Sequence, residues 1–452
     1  KRVLPMALPI NYKLSQLINE KAISMHVPGH KNMTIGTLHE LDFKFDMTEI
    51  TGLDDLHHPE DIILNSQHNM SKHEDYDAFI LVNGTTSGIL ATIQGFSAVD
   101  GRYLIARNVH KSVFHGLDLT HQSADILPMQ ESLQTHHYYG PQTRDFDSEQ
   151  YKLAVVTYPN YYGECFDINS CISKLHAANI PVLVDEAHGA HFDLDGFPTS
   201  ALNMKADYVV QSYHKTLPAL TMGSILFIHK QAPQRDKVIQ YLSYFQTSSP
   251  SYLVMASLEQ ANQFYQQYDS RLFFKRRQQF IEMMQDKGFI MIQMADPLKL
   301  TVQHKHMLGY QIQDWFEKMS VFVELADDYQ VLLILPLWHE QDKYPFDELI
   351  ERIRMQPVED LINHNQQSSY TRLPCAAGSY ETMDITHVTW VGLDNAQGMI
   401  LAQHITPYPP GIPLFFTGER ITQNMLKLIA HYIDSGVRVE GINNKKILVK
   451  DE

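Results

Sequence analysis

PVLVDEAHGAH (Pro181–His191) and, further on, VVQSYHKTLPALTMGS (Val209–Ser224) decide how this chain is read. The first is an apolar, strand-like run that ends in Asp185 and Glu186. The second is a shorter strand that delivers His214 and Lys215 into a turn. An acid and a lysine thus leave neighbouring strand ends, and a parallel sheet gathers its chemistry at the carboxyl ends of its strands. The pair has an ordinary reading as well, because acids commonly follow apolar strands and lysines near turns are mostly solvated.

Working outward, AFILVNGTTSGILATIQGFSA (Ala78–Ala98) reads as strand, tight turn and helix. Gly84 takes the turn, and Thr85, Thr86 and Ser87 stand at the start of an apolar-periodic helix. Free amide donors and hydroxyls there make a phosphate cradle, although an ordinary N-cap has the same composition. YLIARNVHKSVFHGLDL (Tyr103–Leu119) is another strand passing into a helix, with Arg107, Asn108, His110 and Lys111 at the junction. The His110 imidazole is placed either to stack on a planar ligand or to make a surface hydrogen bond. YKLAVVTYPNYYGECFDI (Tyr151–Ile168) adds a strand ending in Thr157 and a Pro-Asn-Tyr-Tyr-Gly loop. Strand and helix alternate several times between Phe79 and Ile228, which predicts a mostly parallel sheet covered by helices.

Before that region, a helix is expected around Tyr12–Lys21. The special-geometry stretch MHVPGHK (Met25–Lys31) and the acidic loop DMTEITGLDDLHHPED (Asp46–Asp61) follow. These predict an N-terminal arm over residues 1–58, a large domain over 59–292 and a smaller α/β domain over 293–452. Between the last strands and helices lies ILAQHITPYPPGIPLFFTGERI (Ile400–Ile421), whose prolines force an extended path.

Length and composition narrow the classes. The chain has 452 residues, too many for one core to be usual, with 44% hydrophobic and 19% charged residues and no disorder signature. A formal charge of -16 argues against a nucleic-acid partner, while a negative surface attracts small cations. Cys165, Cys171 and Cys375 are the three cysteines and form no closely spaced metal motif, so a reducing cytoplasm is expected. No apolar run is long enough for a membrane helix, and VLPMALPI after Lys1 and Arg2 is too short for a signal peptide. Position 1 is Lys rather than Met, so the chain is expected to be incomplete at its front. His57 and His58 are adjacent, EAHGAH is not HExxH, and no GxGxxG follows a strand. A catalytic metal and a nicotinamide cofactor are therefore disfavoured.

A phosphate cradle, a ring neighbour, a strand-end acid and a turn lysine together suit pyridoxal 5′-phosphate. Its phosphate needs donors, its aldehyde an amine and its ring nitrogen an acid. The chain also resembles a known family. MHVPGHK, DMTEITGLDDLHHPE, FILVNGTTSGI, ARNVHKSV, VLVDEAHGAH, QSYHKTLPALT, QTSSPSYLVMASLE and PYPPGIPLFFTGE, in that order from Met25 to Glu440, are similar to the signature blocks of the Orn/Lys/Arg decarboxylases.

The resemblance implies a fold type I, aspartate-aminotransferase-like enzyme with a mostly parallel seven-stranded sheet and a smaller C-terminal α/β domain. It makes Lys215 the Schiff-base lysine, Asp185 the partner of the pyridinium nitrogen and His110 the imidazole over the ring. It gives Thr85, Thr86 and Ser87 the phosphate, with Ser212 and His214 beside the lysine, Ala187 under the other ring face and His188 near the ring oxygen. Lys215 or His214 returns the proton to the α carbon. It also implies a homodimer with interfacial active sites, open to higher assembly, in which the arm and residues 246–249 approach a neighbouring pocket. The chain looks like the compact form associated with polyamine biosynthesis. A small basic amino acid is the expected substrate, arginine first, with lysine and ornithine as alternatives. Asp54, Asp55, Glu324 and Glu419 are candidates for its distal cation, each with a plain surface-acid reading. An aminotransferase or lyase of the same fold, and a non-catalytic scaffold protein, are the rivals.

Overall fold

The computed structural model describes residues 8–143, 150–358, 373–382, 387–407, 411–434 and 438–450. The start of the chain and residues 408–410 of the proline-rich stretch lie outside them. In order, the first elements are α1 (Pro9–Asn19), β1 (Ile23–Met25), α2 (Ile62–Met70), β2 (Tyr76–Leu81), α3 (Gly84–Gly95), β3 (Arg102–Ala106), α4 (Lys111–Thr120) and β4 (Ala124–Leu127). They continue with β5 (Met129–Glu131), β6 (Tyr138–Pro141), β7 (Tyr151–Thr157), α5 (Ile168–Ala177), β8 (Val182–Asp185), β9 (Tyr208–Gln211), α6 (Tyr213–Thr216) and β10 (Ser224–His229). The helix expected over Tyr12–Lys21 begins earlier, with a proline in its first turn, and ends at Asn19.

These segments build one sheet in the order β4-β3-β7-β8-β9-β10-β2. Neighbours from β4 through β9 are parallel, and β10 runs antiparallel to both β9 and β2. Strands buried on both faces need continuous apolar runs, and the central ones have them: every residue of Val182–Asp185 and Tyr208–Gln211 is buried. The seven expected strands are present. An eighth, Gly378–Tyr380, comes from far downstream and joins antiparallel to β4, covering an edge that the sequence had left open.

After the long helices Tyr252–Gln267 and Arg271–Asp286, a four-stranded antiparallel sheet follows, built from Ile290–Gln293, Lys299–Gln303, Leu325–Ala326 and Val331–Ile334. Its apolar side chains are continuous with the main core, whereas Ala396, Leu401, Ile405, Leu414 and neighbours through Val449 form a separate cluster. One long-range pairing matters for function. β1 lies parallel to Val321–Val323, with Met25 opposite Val323, so MHVPGHK enters the molecule beside Glu324.

Candidate active site

The main-sheet segments that reach the site leave the carboxyl ends of their strands. β2 leads into the turn at Gly84, whose φ of +76° is a conformation that glycine takes without strain. The side chain of Asn83 does not cap α3; its Oδ1 accepts the Thr247 amide at 3.3 Å instead. The first-turn amide donors of α3 are therefore left for a ligand, the arrangement that binds phosphate at helix N-termini. Thr85 faces the cavity, and its Oγ1 accepts the Ser212 hydroxyl at 3.2 Å, joining the turn after β2 to the turn after β9. Thr86 stands beside it, half-buried. The Ser87 hydroxyl is spent locally, donating to the Gly84 carbonyl at 2.8 Å.

Asn108 and His110 follow β3, which ends at Ala106. His110 caps α4: its Nδ1 accepts the Ser112 amide at 3.2 Å, so the neutral ring carries its proton on Nε2. Burial, with the charges of Lys215 and Lys111 added, pushes its pKa down to about 3. Asp185 ends β8, buried, with Oδ1 accepting the Ala187 amide at 3.1 Å. Burial raises its pKa, and Lys215 and that amide oppose the rise. Lys215 sits in α6 with Nζ 3.2 Å from His188 Nε2. Burial lowers the lysine pKa, against the pull of Asp185 and Glu324. His214 donates from Nδ1 to the Gly223 carbonyl at 3.0 Å, and burial takes its pKa down to about 4.

Thr85, Asn108, His110, Asp185, Ala187, His188 and Lys215 line one cleft. The cleft also takes in Thr157, Pro159, Tyr161 and Ile412. Tyr161 and Ile412 were not among the expected site residues. The Pro-Asn-Tyr-Tyr-Gly loop was visible after β7, but nothing in the sequence says which of its tyrosines turns inward.

The acids proposed for a distal cation fare differently. Asp54 accepts the amides of Asp55, Glu60, Asp61 and Ile63, which makes it the anchor of the start of α2. Asp55 accepts the His57 amide at 2.8 Å and meets the His58 ring. Glu419 pairs with Arg107 at 2.9 Å and accepts the Phe416 amide, tying the downstream segment to the main sheet. None of these three lines the cleft. Glu324 accepts the Val27 amide at 2.9 Å and the Tyr161 hydroxyl at 2.5 Å, and Tyr161 itself is part of the wall.

The donor set fits pyridoxal phosphate. His188 Nδ1 and Asn108 Oδ1 are buried polar atoms with no hydrogen-bond partner among the described residues, and both residues border the cleft. Buried polar groups of that kind call for a ligand or water. A uncapped helix start, a depressed lysine and a buried acid match the phosphate, aldehyde and ring nitrogen in turn.

Together, the sheet order and the strand-end site are those of a fold type I pyridoxal phosphate enzyme. Comparison with known proteins gives the family. Residues 8–287 match the model of the Orn/Lys/Arg decarboxylase major domain and residues 361–442 that of its C-terminal domain, so the chain belongs to the Orn/Lys/Arg decarboxylase family. It is a pyridoxal phosphate-dependent decarboxylase. It is 35% identical to the uncharacterized protein YaaO of Bacillus subtilis (strain 168), covering 98% of each chain. It is 28% identical to an arginine decarboxylase of the same organism, covering 96% of this chain and 95% of that one. Its fold matches the Francisella novicida lysine decarboxylase LdcF with a TM-score of 0.71 and 17% identity, covering 90% of this chain and 74% of that one.

Proposed function

We propose that the chain removes the α-carboxyl group of L-arginine, giving agmatine and CO2. The observation that carries the reading is the convergence of Lys215, Asp185, His110 and His188 on one cleft; the arginine decarboxylases among its relatives favour the substrate. Pyridoxal phosphate, when bound, supplies an aldehyde for an amine and a ring that accepts the electrons left by CO2.

The chain's own residues do the rest. The Lys215 amine, whose pKa burial lowers, would hold the cofactor through its aldehyde. Asp185 would hold the ring nitrogen and favour its protonated form. Neutral His110 and Ala187 would hold the ring between them. His188 would hold the ring oxygen, and Thr85, Thr86, Ser212 and the α3 amides would hold the phosphate. Lys215 or His214 returns a proton to the α carbon. Glu324 receives the guanidinium, because among the four candidate acids it is the one bonded to a residue of the cleft wall, Tyr161. Three free cysteines fit a reducing cytoplasm, and a homodimer is the working assembly.

Purified protein loaded with pyridoxal phosphate is given arginine, lysine or ornithine, and the amine is identified. Agmatine as the fastest product is expected. Cadaverine or putrescine in its place overturns the arginine assignment, and a keto acid overturns decarboxylation itself.

A further inference from the structure

Glu186 follows Asp185, and strand alternation turns its side chain to the opposite side of the sheet. The residue is wholly buried and does not line the cleft. Its Oε1 accepts the Ala201 amide at 2.8 Å, and its Oε2 accepts the Ser200 hydroxyl at 2.7 Å and Gln211 Nε2 at 2.6 Å. Gln211 is the last residue of β9 and directly precedes Ser212. Its Oε1 in turn accepts Lys72 Nζ at 2.9 Å, and that ammonium also donates to the Ala190 carbonyl and lies 4.0 Å from the centre of the Tyr265 ring. A directed relay of hydrogen bonds therefore runs from Lys72 through Gln211 to Glu186.

The relay begins where the backbone ladder stops. β8 and β9 are paired up to Asp185 opposite Val210, and the last rung is the Glu186 amide donating to the Val210 carbonyl at 3.0 Å. Beyond it, Ala187 and His188 leave one strand while Ser212 and Lys215 leave the other, with no further sheet bond between them. A carboxyl buried without a contact ion pair is destabilising relative to an apolar core. Burial holds Glu186 up to about 7 and Lys72 down to about 7. What the buried relay supplies in exchange is direction, because hydrogen bonds fix a separation that apolar contact leaves loose.

We infer that Glu186 is a positioning residue: through Gln211 it fixes the spacing between the strand end that carries Asp185 and the turn that carries Lys215. This rests on the roles proposed above for Asp185 and Lys215. The relay has one polarity, and Glu186→Gln breaks it, since all three partners donate and an amide nitrogen must then face a donor. Turning Gln211 over only moves the conflict to the Lys72 ammonium. Glu186→Gln with Gln211→Glu restores a donor-to-acceptor contact and places a carboxylate against Lys72.

The test measures apo-protein Tm, pyridoxal phosphate Kd by absorbance titration, and kcat and KM for wild type, Glu186→Gln, the double variant and Lys215→Ala. For Glu186→Gln the expectation is a Kd about 10- to 100-fold weaker and a kcat lower by a similar factor, with KM little changed. The double variant recovers most of both. Wild-type Kd and kcat in folded Glu186→Gln overturn the inference, as does failure of the double variant to rescue while its apo Tm matches wild type. If Glu186→Gln does not fold, Gln211→Leu, which removes the same contact and leaves Glu186 its Ala201 and Ser200 donors, is read in the same way. Lys215→Ala separates the two levels. If it keeps the absorbance of lysine-bound cofactor, the site assignment falls and this inference with it; if it loses that absorbance and Glu186→Gln behaves as wild type, this inference alone falls.

Discussion

Lys215 is buried beside His188, and desolvation, opposed by Asp185 and Glu324, lowers its pKa. Its neighbours are kept neutral by the same burial, so the charges that count at the reacting centre are few and opposed. Asp185→Asn leaves the shape of the site intact and removes the charge proposed above for the ring nitrogen. We expect kcat to fall by about 10²–10³-fold while cofactor still binds, checked by steady-state kinetics on protein whose cofactor content is measured. Glu324→Gln removes a charged acceptor but leaves the Tyr161 and Val27 contacts a partner. The expected result is a KM for arginine raised about tenfold or more with a smaller change in kcat. An unchanged KM would remove Glu324 from substrate recognition.

At the scale of elements, two glycines show how turns set the site, for different reasons. Gly84 has positive φ and open space where a Cβ would go, so Gly84→Ala costs only backbone strain, about 1–2 kcal/mol. Gly29 is a matter of packing. Its amide donates to the His214 carbonyl at 2.8 Å, and a Cβ would lie 2.5 Å from the Leu217 carbonyl oxygen. MHVPGHK is therefore a buttress laid against the turn that holds Lys215. Gly29→Ala is expected to lower stability by about 1–3 kcal/mol through overpacking and to weaken cofactor binding, because the displaced backbone is that of the lysine turn. Denaturant midpoints of the apo variants with cofactor titrations check both. Equal cofactor affinity in Gly29→Ala and wild type would contradict the buttress.

Across the whole molecule, two properties stand out. The first is the apolar surface of the N-terminal arm, where Ile10 is 73%, Ile18 74% and Phe43 89% exposed in the single chain. Exposed apolar side chains of this kind suit an interface, and a second copy is the partner consistent with the proposed dimer. Ile18→Asp with Phe43→Asp is expected to shift the mass in solution toward the monomer, read by light scattering. The second is the set of buried neutral histidines. Burial holds His30, His214 and His404 down to about 4 and His110 to about 3. Their folded pKa values lie below the unfolded one, so as pH falls below about 6.5 the unfolded chain takes up protons that the folded chain refuses. Stability is thus full above that pH and falls toward pH 4, by roughly 1.4 kcal/mol per pH unit per histidine. Apo-protein unfolding between pH 7 and 5 measures the slope, and His404→Phe, outside the cleft, is expected to flatten it by one proton.

The parallel sheet and the strand-end lysine and acid were legible in the sequence, because apolar runs and turn residues act over a few neighbouring positions; whether the start of α3 was capped was not. Which side chains of a loop face the cleft was not. Tyr161 and Ile412 reach it, and Asp54 and Glu419 are drawn off to the α2 amides and to Arg107, through contacts between residues far apart in the chain. The sequence by itself determined the pair that opened the reading, Asp185 and Lys215, and the ends of the strands that carry them. Only the tertiary structure decided what holds that pair in place. The Glu186 relay, the Gly29 buttress and the β1 pairing that sets Val27 against Glu324 arise when distant segments meet, and local propensity carries no record of such meetings.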